Sequence, residues 1–180
     1  NASKAAADMA VRAYAKTFGL PISISNCANN YGPYQFPEKL IPLSVTNILE
    51  SKKMTLYNTS QNKREWIHVY DHVRAIYKIL MHGKTGETYN VGTGVEKSIE
   101  EISAIILKYL HAPETMKEYV NDRPAHDRRY LLNSTKIKRE LDWKPLIDFE
   151  QGMQETIAWY KQNPKWWKPL TKNLVKETNW

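Results

Sequence analysis

Four groups of side chains in this sequence have the types and spacing to handle an anionic, oxygen-rich ligand. Lys4 sits in Ser3-Lys4-Ala5-Ala6-Ala7-Asp8. Residues four apart share a helix face, so its ammonium can act on a group one turn away. An ordinary surface lysine at a helix start is the alternative. Asn29-Asn30-Tyr31-Gly32-Pro33 follows the β-branched Ile22-Ser23-Ile24-Ser25, so its amides stand at a strand end, where ligands bind in open α/β sheets. Consecutive amides hydrogen-bond a carboxamide or a phosphate, although Asn, Gly and Pro also build plain turns. Arg64, in Asn62-Lys63-Arg64-Glu65-Trp66, has paired donors that suit a diphosphate, or else it pairs with Glu65 or Asp71. Residues 122–130 (Asp-Arg-Pro-Ala-His-Asp-Arg-Arg-Tyr) form the densest charged stretch. Such a run is either a solvated face or, with Pro124 inside it, a defined loop.

Three other patterns carry less. Gly92-Thr93-Gly94 opens like a dinucleotide fingerprint, but Lys97 stands where the third glycine belongs. His68 and His72 are four apart, yet no acidic or cysteine partner is spaced to complete a zinc site, so no metal is expected. Cys27 has no histidine near it in sequence and reads as an inert thiol.

The elements that must hold these groups alternate. Small and apolar residues from Ala6 to Phe18 predict a helix over residues 3–18, stopped by Gly19. Strands are expected at 22–25, 54–57, 66–69, 88–91 and 119–120, with polar turns at 26–30 and 58–63. Leu40, Ile41, Val45, Ile48 and Leu49 mark a second helix; Val73, Ile76, Tyr77 and Leu80 mark the face of a third. Ser98-Ile99-Glu100-Glu101 is a capping box ahead of a fourth, and helices over 134–141 and 149–162 complete the pattern. From Asn163 no period is evident. This alternation predicts an α/β fold.

Composition sets the bounds. The 180 residues suffice for one cored domain, and 42% hydrophobic content with six Trp and eleven Tyr argues for a folded chain. A net charge of +7 favours anionic partners, but Lys and Arg are dispersed in no block of five or six. A single cysteine permits no intrachain disulfide and fits a reducing compartment, the cytoplasm. No apolar run approaches eighteen residues, so no membrane partner is expected.

Together, the lysine-led helix, Gly19-Leu20-Pro21, the Asn-Asn-Tyr-Gly-Pro loop, Phe36-Pro37-Glu38-Lys39-Leu40-Ile41-Pro42 and residues 122–130 resemble the second half of an extended short-chain dehydrogenase/reductase. The resemblance is strongest to the nucleotide-sugar 4,6-dehydratases of the dTDP-glucose type. It implies the end of a Rossmann-type NAD-binding domain (residues 1–28 and 66–92), a smaller α/β nucleotide-sugar domain (29–65 and 93–168) and a tail (169–180). It further implies that Lys4 is the lysine of a Tyr-x-x-x-Lys motif and holds the nicotinamide ribose. The tyrosine, an Asp–Glu pair and the glycine-rich NAD loop would lie in a missing half upstream of Asn1. Asn30 would contact NAD. Asn29, Lys39, Leu40, Thr55, Tyr57, Arg64, Ser98, Arg123 and His126 would contact the sugar nucleotide, with Lys39, Arg64 and Arg123 meeting its diphosphate. Ser98 replaces an expected asparagine and Ala125 a glycine. A homodimer is implied as well, with the first helix packed on two sides. Two other readings stand beside this one: a nucleotide-sugar 4-epimerase, and a basic nucleic-acid-binding domain suggested by Trp166-Trp167-Lys168.

Overall fold

The computed structural model describes residues 2–58, 60–122 and 127–171. Arg123 and His126 therefore lie outside the described residues. Among the described residues, helices α1 (Ala2–Phe18), α2 (Leu40–Leu49), α3 (Val69–His82), α4 (Ile99–Leu110), α5 (Thr135–Leu141), α6 (Phe149–Gln162) and α7 (Pro164–Thr171) are interspersed with eight short strands. The strands are β1 (Ile24–Cys27), β2 (Asn29–Tyr31), β3 (Met54–Tyr57), β4 (Lys63–His68), β5 (Thr88–Val91), β6 (Glu96–Ser98), β7 (Lys117–Val120) and β8 (Arg129–Tyr130). The expected α/β class holds. Several bounds shift: β1 begins at Ile24 instead of Ile22, β4 at Lys63 instead of Trp66 and β7 at Lys117 instead of Tyr119. The polar turn at 26–30 contains β2, and β6 and β8 form where no strand was expected.

β4 organises the molecule. Its C-terminal half pairs in parallel with β2, Asn29 opposite Trp66 and Asn30 opposite Ile67. Its N-terminal half is flanked by antiparallel β6 and parallel β8, so Arg64 faces Lys97 on one side and Tyr130 on the other. β1 pairs in parallel with β5, and β3 with β7. Successive strand residues point to opposite faces, and β4 uses this to divide the core. Trp66 packs with Tyr31, Ile41, Val45, Ile106, Met153 and Trp167. Ile67 packs on the other side with Ala75, Tyr89, Val91, Ile137 and Trp143.

Local signals place the helix ends. Ser98 and Glu101 form the anticipated capping box, each side chain taking the other's backbone N–H. Asp148 caps α6 through the N–H groups of Glu150 and Gln151. His68 caps α3, its Nδ1 accepting from Tyr70 N at 3.2 Å. The apolar stripe of α3 is present but turned outward. Val73, Ile76, Tyr77 and Leu80 are exposed, and Asp71, Ala75 and Ile79 are the residues that face the core. α1 contributes no buried residue; Met9, Tyr14 and Phe18 are all exposed. α7 forms where no period was expected, because Trp167 is inserted into the core and donates Nε1–H to Tyr160 O at 2.8 Å.

Candidate nucleotide-sugar site

Asn29, Arg64 and Tyr130 meet at the junction of β2, β4 and β8. Tyr130 Oη donates to Asn29 Oδ1 at 2.8 Å, and the Arg64 guanidinium carbon lies 4.9 Å from the Tyr130 ring centroid. Arg64 pairs with neither Glu65 nor Asp71. The residue is 7% exposed, and its guanidinium donates to Lys63 O at 2.8 Å and to Asp127 O at 2.6 Å. The arginine thus grips the C-terminal end of the 122–130 stretch. Beside it, Arg129 holds Glu96 in a two-pronged pair at 2.6 and 2.7 Å, which keeps the Glu96 carboxyl below its usual range.

Asn30 is held from several directions. Its Nδ2 donates to Ala28 O at 3.1 Å and Cys27 Sγ at 3.3 Å, while its Oδ1 lies 2.9 Å from His72 Nδ1. Its carbonyl accepts Gln35 Nε2–H at 2.9 Å, and Gln35 O in turn accepts the Tyr160 hydroxyl at 2.6 Å. The asparagine loop is therefore tied to α3 on one side and α6 on the other. Gly32 allows this loop its path. Its φ of +140° is one that glycine alone adopts freely, and a Cβ there would come 2.7 Å from Val69 Cγ1. Burial lowers the pKa of both His68 and His72, so the neutral ring is favoured at each.

The remaining predicted residues are more scattered. Lys39 is exposed just before α2 and pairs with Glu38 at 2.5 Å; Leu40 opens that helix, half-buried. Thr55 and Tyr57 alternate with buried Met54 and Leu56, so they share the outer face of β3. Ser98 is buried, and its hydroxyl accepts Glu101 N–H as the α4 cap. Lys4 is exposed on the first turn of α1. The three cations expected at one diphosphate are seen in part: Arg64 is at the junction, Lys39 turns to Glu38, and Arg123 is outside the described residues.

Two residues gain roles that sequence reading missed. Glu65 is fully buried, and its carboxylate accepts Gly94 N–H at 2.7 Å and Leu132 N–H at 2.9 Å. This explains the Gly-Thr-Gly pattern. A Cβ on Gly92 would collide with the Glu65 carboxylate, and the Gly94 amide is already taken. Tyr130 was overlooked because tyrosine at the end of a charged run has no distinguishing local signal. Among the described residues no three His, Cys, Asp or Glu side chains gather to hold a metal ion.

A family model described as GDP-mannose 4,6 dehydratase matches residues 1–156. The chain belongs to that family. Among members, a dTDP-glucose 4,6-dehydratase of Streptomyces niveus is 46% identical over 169 residues, covering 94% of this chain and 50% of that protein. The Escherichia coli dTDP-glucose 4,6-dehydratase is 46% identical over 173 residues, 92% of this chain and 48% of that enzyme. The chain spans about half the length of the curated relatives it matches. In structure it resembles the dTDP-glucose 4,6-dehydratase of Bacillus anthracis, solved with NAD, at TM-score 0.88 and 52% identity over 94% of this chain and 54% of that one. The Streptomyces venezuelae enzyme, also solved with NAD bound, gives TM-score 0.92 at 47% identity, over 94% of this chain and 52% of that one. A Thermotoga maritima UDP-glucose 4-epimerase, at 23% identity and TM-score 0.83 over 89% of this chain and 52% of that one, shares the fold.

Proposed function

We propose that this chain is the sugar-nucleotide-binding half of an NAD-dependent dTDP-glucose 4,6-dehydratase that yields the 4-keto-6-deoxy sugar. The observation that carries the reading is the meeting of Asn29, Arg64 and Tyr130 at one strand junction, in a chain 46% identical to enzymes of that name. Within it, the division into a cofactor-side body and a substrate-side body is supported by the separate packing around Ile67 and Trp66. Asn29 and Arg64 bind the sugar nucleotide. Arg123, His126, Lys39, Leu40, Thr55, Tyr57 and Ser98 are assigned to the same ligand by family position. For Ser98 burial argues against a direct role: the residue is 2% exposed, and its hydroxyl faces the Glu101 N–H that it caps.

NAD fits these residues at one end only. Lys4 offers an exposed ammonium, and Asn30 is held rigidly at a strand end. The Gly92–Gly94 turn cannot cradle phosphates, since Glu65 occupies it. When held by these residues and the rest of its site, NAD would supply a reversible hydride acceptor for oxidation at C4 and reduction at C6, with water lost across C5 and C6 in between. In this scheme Lys4 binds the nicotinamide ribose and favours the ionised form of a tyrosine one turn upstream. Asn29 and Arg64 fix the sugar nucleotide so that C4 faces that tyrosine.

The remaining parts are assigned to an upstream half of similar length, and the assembly to a homodimer of the reducing cytoplasm. The exposed apolar faces of α1 and α3 support this, as both are surfaces of the kind that partners cover. Product analysis tests the activity. The full polypeptide carrying these residues, given NAD and dTDP-glucose, should release a sugar nucleotide lighter by one water and bearing a 4-keto group. A product of unchanged mass epimerised at C4 would instead establish the epimerase reading.

A further inference from the structure

Tyr130 is half-exposed and belongs to neither hydrophobic cluster, so core packing does not account for its placement. What it touches are two residues at the candidate site. β8 pairs with β4 in a register that sets Tyr130 opposite Arg64, and the guanidinium carbon lies over the ring, 4.9 Å from its centroid. Its hydroxyl reaches Asn29 Oδ1 at 2.8 Å across 101 residues of sequence. Nearby residues of the chain hold the tyrosine in place: Arg129, just before it, through Glu96, and Leu132, two residues on, through its N–H to Glu65.

We infer that Tyr130 is a positioning residue of the sugar-nucleotide site, fixing which atoms of Asn29 and Arg64 meet the ligand. A carboxamide has one accepting oxygen and one donating NH2. With the oxygen held by Tyr130, Asn29 presents its NH2, and so selects an oxygen acceptor such as a phosphate or a sugar hydroxyl. Arg64, with its guanidinium carbon over the Tyr130 ring and one N–H of each Nη already given to Lys63 O and Asp127 O, is left its remaining N–H groups for an anion such as a diphosphate. The same contacts link Asp127 to β4 and Tyr130 to β2, so a ligand engaged by Asn29 or Arg64 is coupled to these two residues.

The inference rests on the chain being the substrate half of a dTDP-sugar enzyme, and the test separates the two. The full polypeptide, as wild type, Tyr130→Phe, Asn29→Ala and the double variant, is titrated with dTDP by calorimetry and assayed with dTDP-glucose. Tyr130→Phe keeps the ring over Arg64 and loses only the hydroxyl. It should weaken dTDP binding and raise KM roughly threefold to tenfold, the scale of one hydrogen bond, with kcat nearly unchanged and melting temperature preserved. In the Asn29→Ala background the same substitution should have no further effect, because the partner is gone. Unchanged dTDP affinity in Tyr130→Phe, or a loss that simply adds to that of Asn29→Ala, overturns the inference. Wild-type protein that binds no dTDP overturns the substrate reading, and this inference with it.

Discussion

Glu65 shows how much of the site's architecture rests on one side chain. Its carboxylate takes the N–H groups of Gly94 and Leu132, stitching the β5–β6 turn and the segment after β8 to β4. Replacing it with Gln would turn an NH2 toward one of those donors and leave a buried N–H unpaired. We expect Glu65→Gln to lose about 1–3 kcal/mol in denaturant unfolding. The histidines give a pH signature. Burial lowers His68 and His72 from 6.5, while Asp71 and Glu155 partly oppose this at His68. Between the lowered folded values and 6.5 the unfolded chain binds more protons. The stability these rings contribute is therefore complete above about pH 6.5 and is lost as pH falls through the folded pKa. Melting temperature should drop as pH is lowered through that window, and less steeply in His72→Asn, which retains a donor near Asn30. A slope identical in wild type and variant would remove His72 from this account. At this scale the sequence displays its local contacts and conceals its distant ones. The Ser98–Glu101 capping box is readable because both partners lie within one helical turn. The Glu65–Gly94 bond spans 29 residues, so Gly92 and Gly94 could only look like an incomplete fingerprint.

The asparagine loop is an element fixed by its neighbours more than by its own turn chemistry. Gln35 joins Asn30 O to the Tyr160 hydroxyl, so α6 holds the loop through a buried tyrosine whose pKa is raised by burial. Removing that hydroxyl in Tyr160→Phe should cost about 1 kcal/mol. It should also speed amide hydrogen exchange across residues 29–36 while leaving β1 and β5 protected; uniform exchange in both regions would contradict the tie. Long amphipathic helices were legible because their period repeats. β6 and β8 were not, since strands of three and two residues exist by pairing with β4 and carry no pattern of their own. α7 escaped notice for a related reason: one buried tryptophan, and not a periodic stripe, fastens it. For α3 the period gave the helix and its apolar face correctly but could not say that this face would point away from the rest of the chain.

Across the whole molecule, the two packed bodies on either side of β4 leave apolar surface on α1 and α3, with Tyr14 61% and Leu80 77% exposed. Surfaces of this kind favour association. Residues 1–180 produced alone should self-associate in sedimentation, and a co-expressed upstream half should shield both helices in hydrogen exchange. The α/β class and the family motifs were evident in the sequence because they depend on local alternation and spacing. The way Asn29, Arg64 and Tyr130 come together was not, because β2, β4 and β8 are brought side by side only by folding. The central claim is that these residues supply the sugar-nucleotide side of a dehydratase whose remaining chemistry lies elsewhere. The most direct measurement is complementation: residues 1–180, alone and then with an upstream NAD-binding half, are given NAD and dTDP-glucose. The account predicts 4-keto-6-deoxyglucose nucleotide only when both halves are present. NAD-dependent turnover by residues 1–180 alone would contradict it.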